Sequence, residues 1–233
     1  MKKAALILAI VCMSLICGVI LYYTVEVIQA REYTRTVVAG IPAESDDLLL
    51  PDDLTEERLS MLLAVEDPAF FSHTGVDLKT PGAGLTTITQ ALVKIFYFDA
   101  FTPGMKKIRQ TLIARFALDP LVSKEDQLLL FINYIGLGKG TRGFEEASEY
   151  YFDKTYADLT DDEYLALVAM IIAPATFNVE DHPERNALRV TRITAVIEGE
   201  YTPKGLCDLY YGPIEEDIID RLPRMSYFKK YYE

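Results

Sequence analysis

The chain has 233 residues, half of them apolar, and a net charge of −12 at neutral pH. That composition excludes a disordered or low-complexity polymer, leaves room for one packed domain with appendages, and argues against nucleic acid as a partner. Two of the three cysteines, Cys12 and Cys17, lie in an apolar N-terminal run, so Cys207 has no intramolecular disulfide partner, and two distant histidines, His73 and His182, do not make a zinc site.

After Lys2 and Lys3, residues 4–23 run twenty positions without a charge. As a helix that stretch is roughly 30 Å long, one hydrocarbon thickness. It exceeds a usual signal-peptide core and no small-x-small cleavage site follows, so an uncleaved anchor (1–30) is expected. The flanking lysines put the N-terminus inside and everything later on the periplasmic or extracellular side of a bacterial cytoplasmic membrane. A linker (31–53) follows, in which the β-branched alternation of 33–39 predicts the one strand of the chain.

Beyond Pro51 the patterns are helical. Asp53 with Glu56 reads as a capping start for a helix through Leu59, Leu62, Leu63 and Val65. Thr86 or Thr87 caps a helix through Leu92, Val93 and Phe96, and a third covers about 105–118, with Ile108, Leu112 and Phe116 at helical intervals. Ser123 with Asp126 and Thr160 with Glu163 are further caps, the second preceding the apolar run 164–170. Pro174 ends that helix and Pro183 opens another to about Glu198. The fold class is mainly α, with a domain over 54–200 and an acidic, Tyr-rich tail over 201–233.

Between residues 79 and 142 the balance inverts, with nine Lys/Arg against four acids. A basic basin in an acidic body suits an anionic ligand. Just upstream lies Glu66-Asp67-Pro68-Ala69-Phe70-Phe71-Ser72-His73-Thr74-Gly75. Taken singly, Glu66 reads as a surface acid, His73 as a structural hydrogen-bonding group and Lys106-Lys107-Ile108-Arg109 as a wet helix face. The G-x-G-x-x-G of Gly138-Lys139-Gly140-Thr141-Arg142-Gly143 follows a helix rather than a strand. It therefore reads as a helix–helix turn with left-handed glycines and not as a nucleotide site.

Their order changes the reading. Glu66, Asp67, Phe70, His73 and Gly75 are followed by Gly84-Leu85-Thr86-Thr87-Ile88-Thr89-Gln90-Ala91-Leu92-Val93-Lys94-Ile95. Next come Lys106-Lys107-Ile108-Arg109-Gln110, then Ser123-Lys124-Glu125-Asp126-Gln127-Leu128, and then Phe131-Ile132-Asn133-Tyr134-Ile135-Gly136-Leu137-Gly138 with the rest of the glycine turn. Tyr151-Phe152-Asp153-Lys154 and Leu159-Thr160 close the series. Over residues 54–198 this resembles the bacterial peptidoglycan glycosyltransferase domain of monofunctional transglycosylases and bifunctional penicillin-binding proteins.

The resemblance implies a lysozyme-like fold and polymerisation of lipid II into glycan strands. It implies Glu66 as the general base that takes the acceptor sugar's 4-hydroxyl proton, with release of polyprenyl pyrophosphate. Lys94 and Lys106 would meet the pyrophosphate, with Thr87, Gln90 and Asn133 positioning substrate. Gln110 stands where the family has a second catalytic glutamate, Ala91, Ile95 and Lys106 replace glutamine, asparagine and arginine, and only ten residues (76–85) separate the first two motifs. A divalent cation (Mg or Mn) as cofactor, and nascent glycan, the membrane and cell-wall synthases as partners, also follow from the resemblance. The remaining length holds no transpeptidase domain, so a monofunctional enzyme is expected. The alternatives are a catalytically impaired homologue that binds precursor or glycan to regulate wall synthesis, and a glycan-cleaving lytic transglycosylase.

Overall fold

The computed structural model of the chain describes residues 2–44, 48–102 and 104–214. They fold into nine α-helices with short 3-10 turns, and the described residues hold no strand, only one isolated bridge between Gly136 and Arg142. Helix α1 (Lys2–Thr36) is continuous for 35 residues and exposes its apolar side chains from Leu6 to Ile28. By length and composition it can cross a membrane.

The strand expected over 33–39 does not form. Residues up to Thr36 complete α1, and Val38–Gly40 make a 3-10 turn before the single-turn α2 (Ile41–Glu44). Thr34 and Thr36 return their hydroxyls to the carbonyls of Ala30 and Glu32, four residues back. β-Branched residues disfavour helix by only tenths of a kcal/mol. Tertiary contacts outweigh that: Thr34 is buried and shares a 2.6 Å hydrogen bond with the Tyr97 hydroxyl, Arg31 donates to the Phe116 carbonyl at 2.6 Å, and Arg109 pairs with Glu26 at 2.5 Å. The anchor is thus bolted to the domain along its last three turns.

Helix α3 (Glu56–Glu66) is capped by Thr55, whose hydroxyl accepts from Arg58 N, and not by Asp53. Asp53 instead closes its own 3-10 turn by accepting from Leu50 N. Helix α4 (Ile88–Tyr97) starts in a full capping box between Thr87 and Gln90. Helix α5 (Met105–Ile113) does not run as α-helix to 118, because Ala114–Leu118 widens into a π segment. A Cβ on Gly75 would lie 2.7 Å from the Ala114 carbonyl oxygen, so the widened turn is moulded against the glycine of the first motif. Its core side is Ile113, Ala114, Ala117 and Leu118, while Ile108 and Phe116 stay on the surface.

Helix α6 (Lys124–Tyr134) is capped by Ser123, α7 (Gly143–Phe152) follows the glycine turn, and α8 (Asp161–Met170) starts in the Thr160–Glu163 capping box. All of Tyr164–Met170 is buried. With α9 (Pro183–Ile197) packed beside it, α8 is the axis of one apolar core that includes Leu62, Val65, Leu92, Val93, Leu130 and Phe144. That helix-only arrangement, wrapped around a central buried helix, is the lysozyme-like layout expected from the motifs.

The glycine turn has the expected left-handed backbone, with φ of 88° at both Gly138 and Gly140 and 70° at Gly143. Packing continues past the boundary drawn at 200. Cys207, Asp208, Tyr210, Tyr211 and Ile214 are buried, because the start of the Tyr-rich tail covers α9 and the 76–85 loop. The rest of the tail, 215–233, lies outside the described residues.

A Cβ on Gly143 would sit 2.6 Å from the Asn133 carbonyl oxygen, at a positive φ, whereas one on Gly136 meets nothing within 4 Å. Gly143→Ala should therefore lower unfolding free energy by about 2 kcal/mol or more, and Gly136→Ala by under ~0.5 kcal/mol, as read by chemical denaturation.

Candidate active site

Helix α3 ends on Glu66, and the next residue fixes that end. The Asp67 carboxylate is fully buried, accepts from Ile88 N at 3.0 Å and lies 2.9 Å from His73 Nε2. Ile88 is the first residue of α4, so an anion caps the positive end of that helix while holding the histidine of its own motif. The Thr87 hydroxyl donates to the Gly75 carbonyl and accepts from Gln90 N. Two sequence motifs are thereby tied into one knot, with Glu66 at its edge.

Glu66 retains a strip of accessible surface and makes no hydrogen bond through its carboxyl among the described residues. Protein nevertheless surrounds the group closely enough that desolvation dominates and lifts its pKa to about 7, with the Arg189 charge opposing and the Asp67 charge adding to the rise. An unpaired carboxylate of that basicity is suited to accepting a proton near neutral pH.

Two lysines flank α4, Lys107 against the residues ahead of it and Lys94 in its last turn. The half-buried Lys107 donates to the Leu85 carbonyl at 2.5 Å and to the Thr86 hydroxyl at 2.9 Å. Burial, then the neighbouring Lys94 charge, lower its pKa to about 8. Lys94 is exposed, and Lys106 turns outward to the Ala100 carbonyl at 2.5 Å. Lys107 is therefore the inward-facing lysine of the pair, which sequence reading did not single out. The signal was available: Lys107, Gln110, Thr111 and Ala114 share one helical face, and polar residues on an inward face carry their neighbour inward too.

The other expected site residues lie in the framework. Thr87 and Gln90 are buried, and the Gln90 amide joins Thr87 N to the Thr111 hydroxyl. Asn133 clamps both backbone groups of Leu49 and the Leu129 carbonyl. Gln110 is 1% exposed, donates to the Gln90 carbonyl at 2.6 Å and has no partner for Oε1. Among the described residues no three His, Cys, Asp or Glu side chains converge, and the position of the expected second acid is this buried amide.

The family model described as Transglycosylase matches residues 34–198. Penicillin-binding protein 1F of Bacillus subtilis (strain 168) is 29% identical over 176 residues, 70% of this chain and 24% of that protein. Penicillin-binding protein 1A of Neisseria gonorrhoeae is 32% identical over 150 residues, 59% of this chain and 19% of that protein. The chain thus spans about a quarter or less of the length of these relatives. With the motif knot at Asp67, the all-helical core and a family match over most of the chain, the protein belongs to the transglycosylase family of peptidoglycan glycosyltransferase domains.

Proposed function

We propose that the protein is a membrane-anchored glycosyltransferase that polymerises lipid II, with Glu66 as general base and polyprenyl pyrophosphate as leaving group. The observation that carries this reading is the unpaired, basic carboxyl of Glu66, next to the Asp67 that caps the start of α4, with Lys107 held against the residues just ahead of the same helix. Glu66 removes the proton of the acceptor hydroxyl as that oxygen attacks the anomeric carbon. Lys94 and Lys107 take up the charge that develops on the departing diphosphate. Their mutual repulsion, which weakens Lys107 as a cation in the free protein, is relieved when the diphosphate lies between them. The exposed apolar residues Met105, Ile108 and Phe116, beside the emerging anchor, support a cleft at the bilayer surface. The N-terminus would then lie inside the cell and the domain outside.

The impaired-homologue reading is favoured by one feature, the neutral Gln110 with its orphaned oxygen. It predicts lipid II binding that persists in Glu66→Gln without polymer from the wild type.

Purified protein in detergent or bilayers should convert labelled lipid II to polymer, and Glu66→Gln should cut the rate by at least ~100-fold. Absence of polymer under several lipid conditions removes the enzymatic reading. The rate should peak in a narrow window, rising as Glu66 ionises near about 7 and falling as Lys107 deprotonates near about 8. Lys107→Ala should remove the alkaline limb along with most of the rate.

The same carboxyl burdens the fold. Its native pKa lies above the ordinary 4.5, so between these values the native state keeps a proton that the unfolded chain has released. Stability therefore falls as pH rises through that window, and the penalty is complete above it. Glu66→Gln should unfold later than wild type at pH 8, by about 1–3 kcal/mol, and show no gain at pH 4, as measured by urea titration at both values.

A further inference from the structure

Residues 201–214 cross back over the domain as a strap. Gly82 N donates to the Gly205 carbonyl at 2.9 Å and Gly84 N to the Leu206 carbonyl at 2.7 Å. Both glycines have positive φ, and a Cβ on either would come within 2.9 Å of Pro203 or Leu209. The strap is stiffened internally by buried Asp208, which accepts from the Tyr201 hydroxyl at 2.7 Å and from Lys204 N at 2.9 Å. It ends on Tyr211, a non-glycine residue held at a φ of 56°. A bulky side chain in that region costs of order 1–3 kcal/mol and persists only where its surroundings require it.

Those surroundings lead to Glu66. The Tyr211 hydroxyl donates to the Val65 carbonyl at 3.3 Å, one residue before the base. The Tyr211 ring also faces the Arg189 guanidinium, 5.8 Å from its centroid, with Phe177 on another side at 5.3 Å. Arg189 is 1% exposed, and its donors reach the Ala169 and Leu209 carbonyls at 3.1 and 3.0 Å. Helix α9, which carries it, packs against α3. A cation fixed in a dry interior stabilises an anion close by far more than it would in water.

We propose that the 201–214 strap is a positioning device for Glu66, acting through Tyr211 on the Val65–Glu66 turn and through the buried Arg189 that Tyr211 covers on α9, the helix packed against α3. This rests on the assignment of Glu66 as base. In the resemblance the cleft is bordered by a longer segment between the first two motifs; here that segment is ten residues, and the strap holds it down. Among the described residues, the charged and titratable groups that act on Glu66 are Asp67 from its own turn, Tyr164 from α8 and Arg189 from α9, with Tyr211 of the strap on the preceding carbonyl. His73 is held by Asp67, and the Tyr164 hydroxyl by the Arg58 carbonyl. Arg189 is the one cation of the set.

The test uses the full chain in detergent, with Arg189→Gln, Arg189→Lys and Tyr211→Phe. Two readouts are taken: the pH profile of lipid II polymerisation, and the 13C titration of the Glu66 carboxyl, assigned as the resonance absent from Glu66→Gln. Arg189→Gln should move the Glu66 midpoint and the acid limb upward by about one pH unit, and Arg189→Lys should restore most of the shift. Tyr211→Phe keeps the ring and should lower kcat about tenfold at unchanged KM, with a smaller upward movement of the midpoint. An unmoved carboxyl titration in folded Arg189→Gln overturns the proposal. If that variant does not fold, Tyr211→Phe decides, and an unchanged midpoint with unchanged kcat overturns it. A wild type that makes no polymer, but whose Glu66 midpoint still moves on Arg189→Gln, sinks the base assignment and leaves the coupling between strap and carboxyl standing.

Discussion

The buried Asp67 carboxylate organises the cleft. It is the one group that touches the end of α3, the His73 loop and the first turn of α4 at once. Its neighbours are a backbone N–H at a helix terminus and a ring nitrogen, so each of its oxygens is engaged without exposure to water. Because the residue before it is Glu66, the direction in which that side chain leaves the helix is set by its neighbour. The lysines are referenced to the same point, since Lys107 reaches the Leu85 carbonyl and the Thr86 hydroxyl just ahead of α4. Glu66 and Lys107 are therefore both referenced to the start of α4 rather than to two independent loops.

The chain tolerates local conflicts to keep that knot. Glu66 is partly desolvated without a hydrogen-bonding partner among the described residues, Lys107 is half-buried next to another lysine, and Gln110 carries an unsatisfied oxygen in the interior. Each of these opposes folding, and each lies within the motif region rather than in the α8–α9 core, where buried polar groups such as Asn186 find carbonyl partners.

Much of this was legible in the residues. The caps at Thr87, Ser123 and Thr160 follow from side-chain oxygens placed three positions before a backbone N–H that needs an acceptor, a purely local rule. The buried run of α8 and the left-handed glycines before α7 were equally readable. What was not legible depended on distant partners. Residues 33–39 look like a strand until Tyr97 and Phe116 are known to receive Thr34 and Arg31. Thr55 displaced Asp53 as a cap because Asp53 satisfies Leu50 first. Of two adjacent lysines, helical phase selected Lys107 to face inward. Asn133 has the composition of a substrate contact, yet its amide is taken up by the backbone of a segment far away in sequence.

The unbroken course of α1 has a mechanical consequence. At 1.5 Å per residue its 35 residues make a rod of roughly 50 Å, of which the uncharged portion matches a bilayer's oily layer and the remainder rises about 20 Å above it. Since that upper portion is clasped by Arg109, Phe116 and Tyr97, no hinge separates rod from domain. The mouth of the cleft keeps a fixed altitude and bearing relative to the rod. A thinner bilayer, which such a rod accommodates by leaning, would lean the domain with it, so lipid thickness would act as a dial on the angle that the α3–α4 junction presents to the membrane plane.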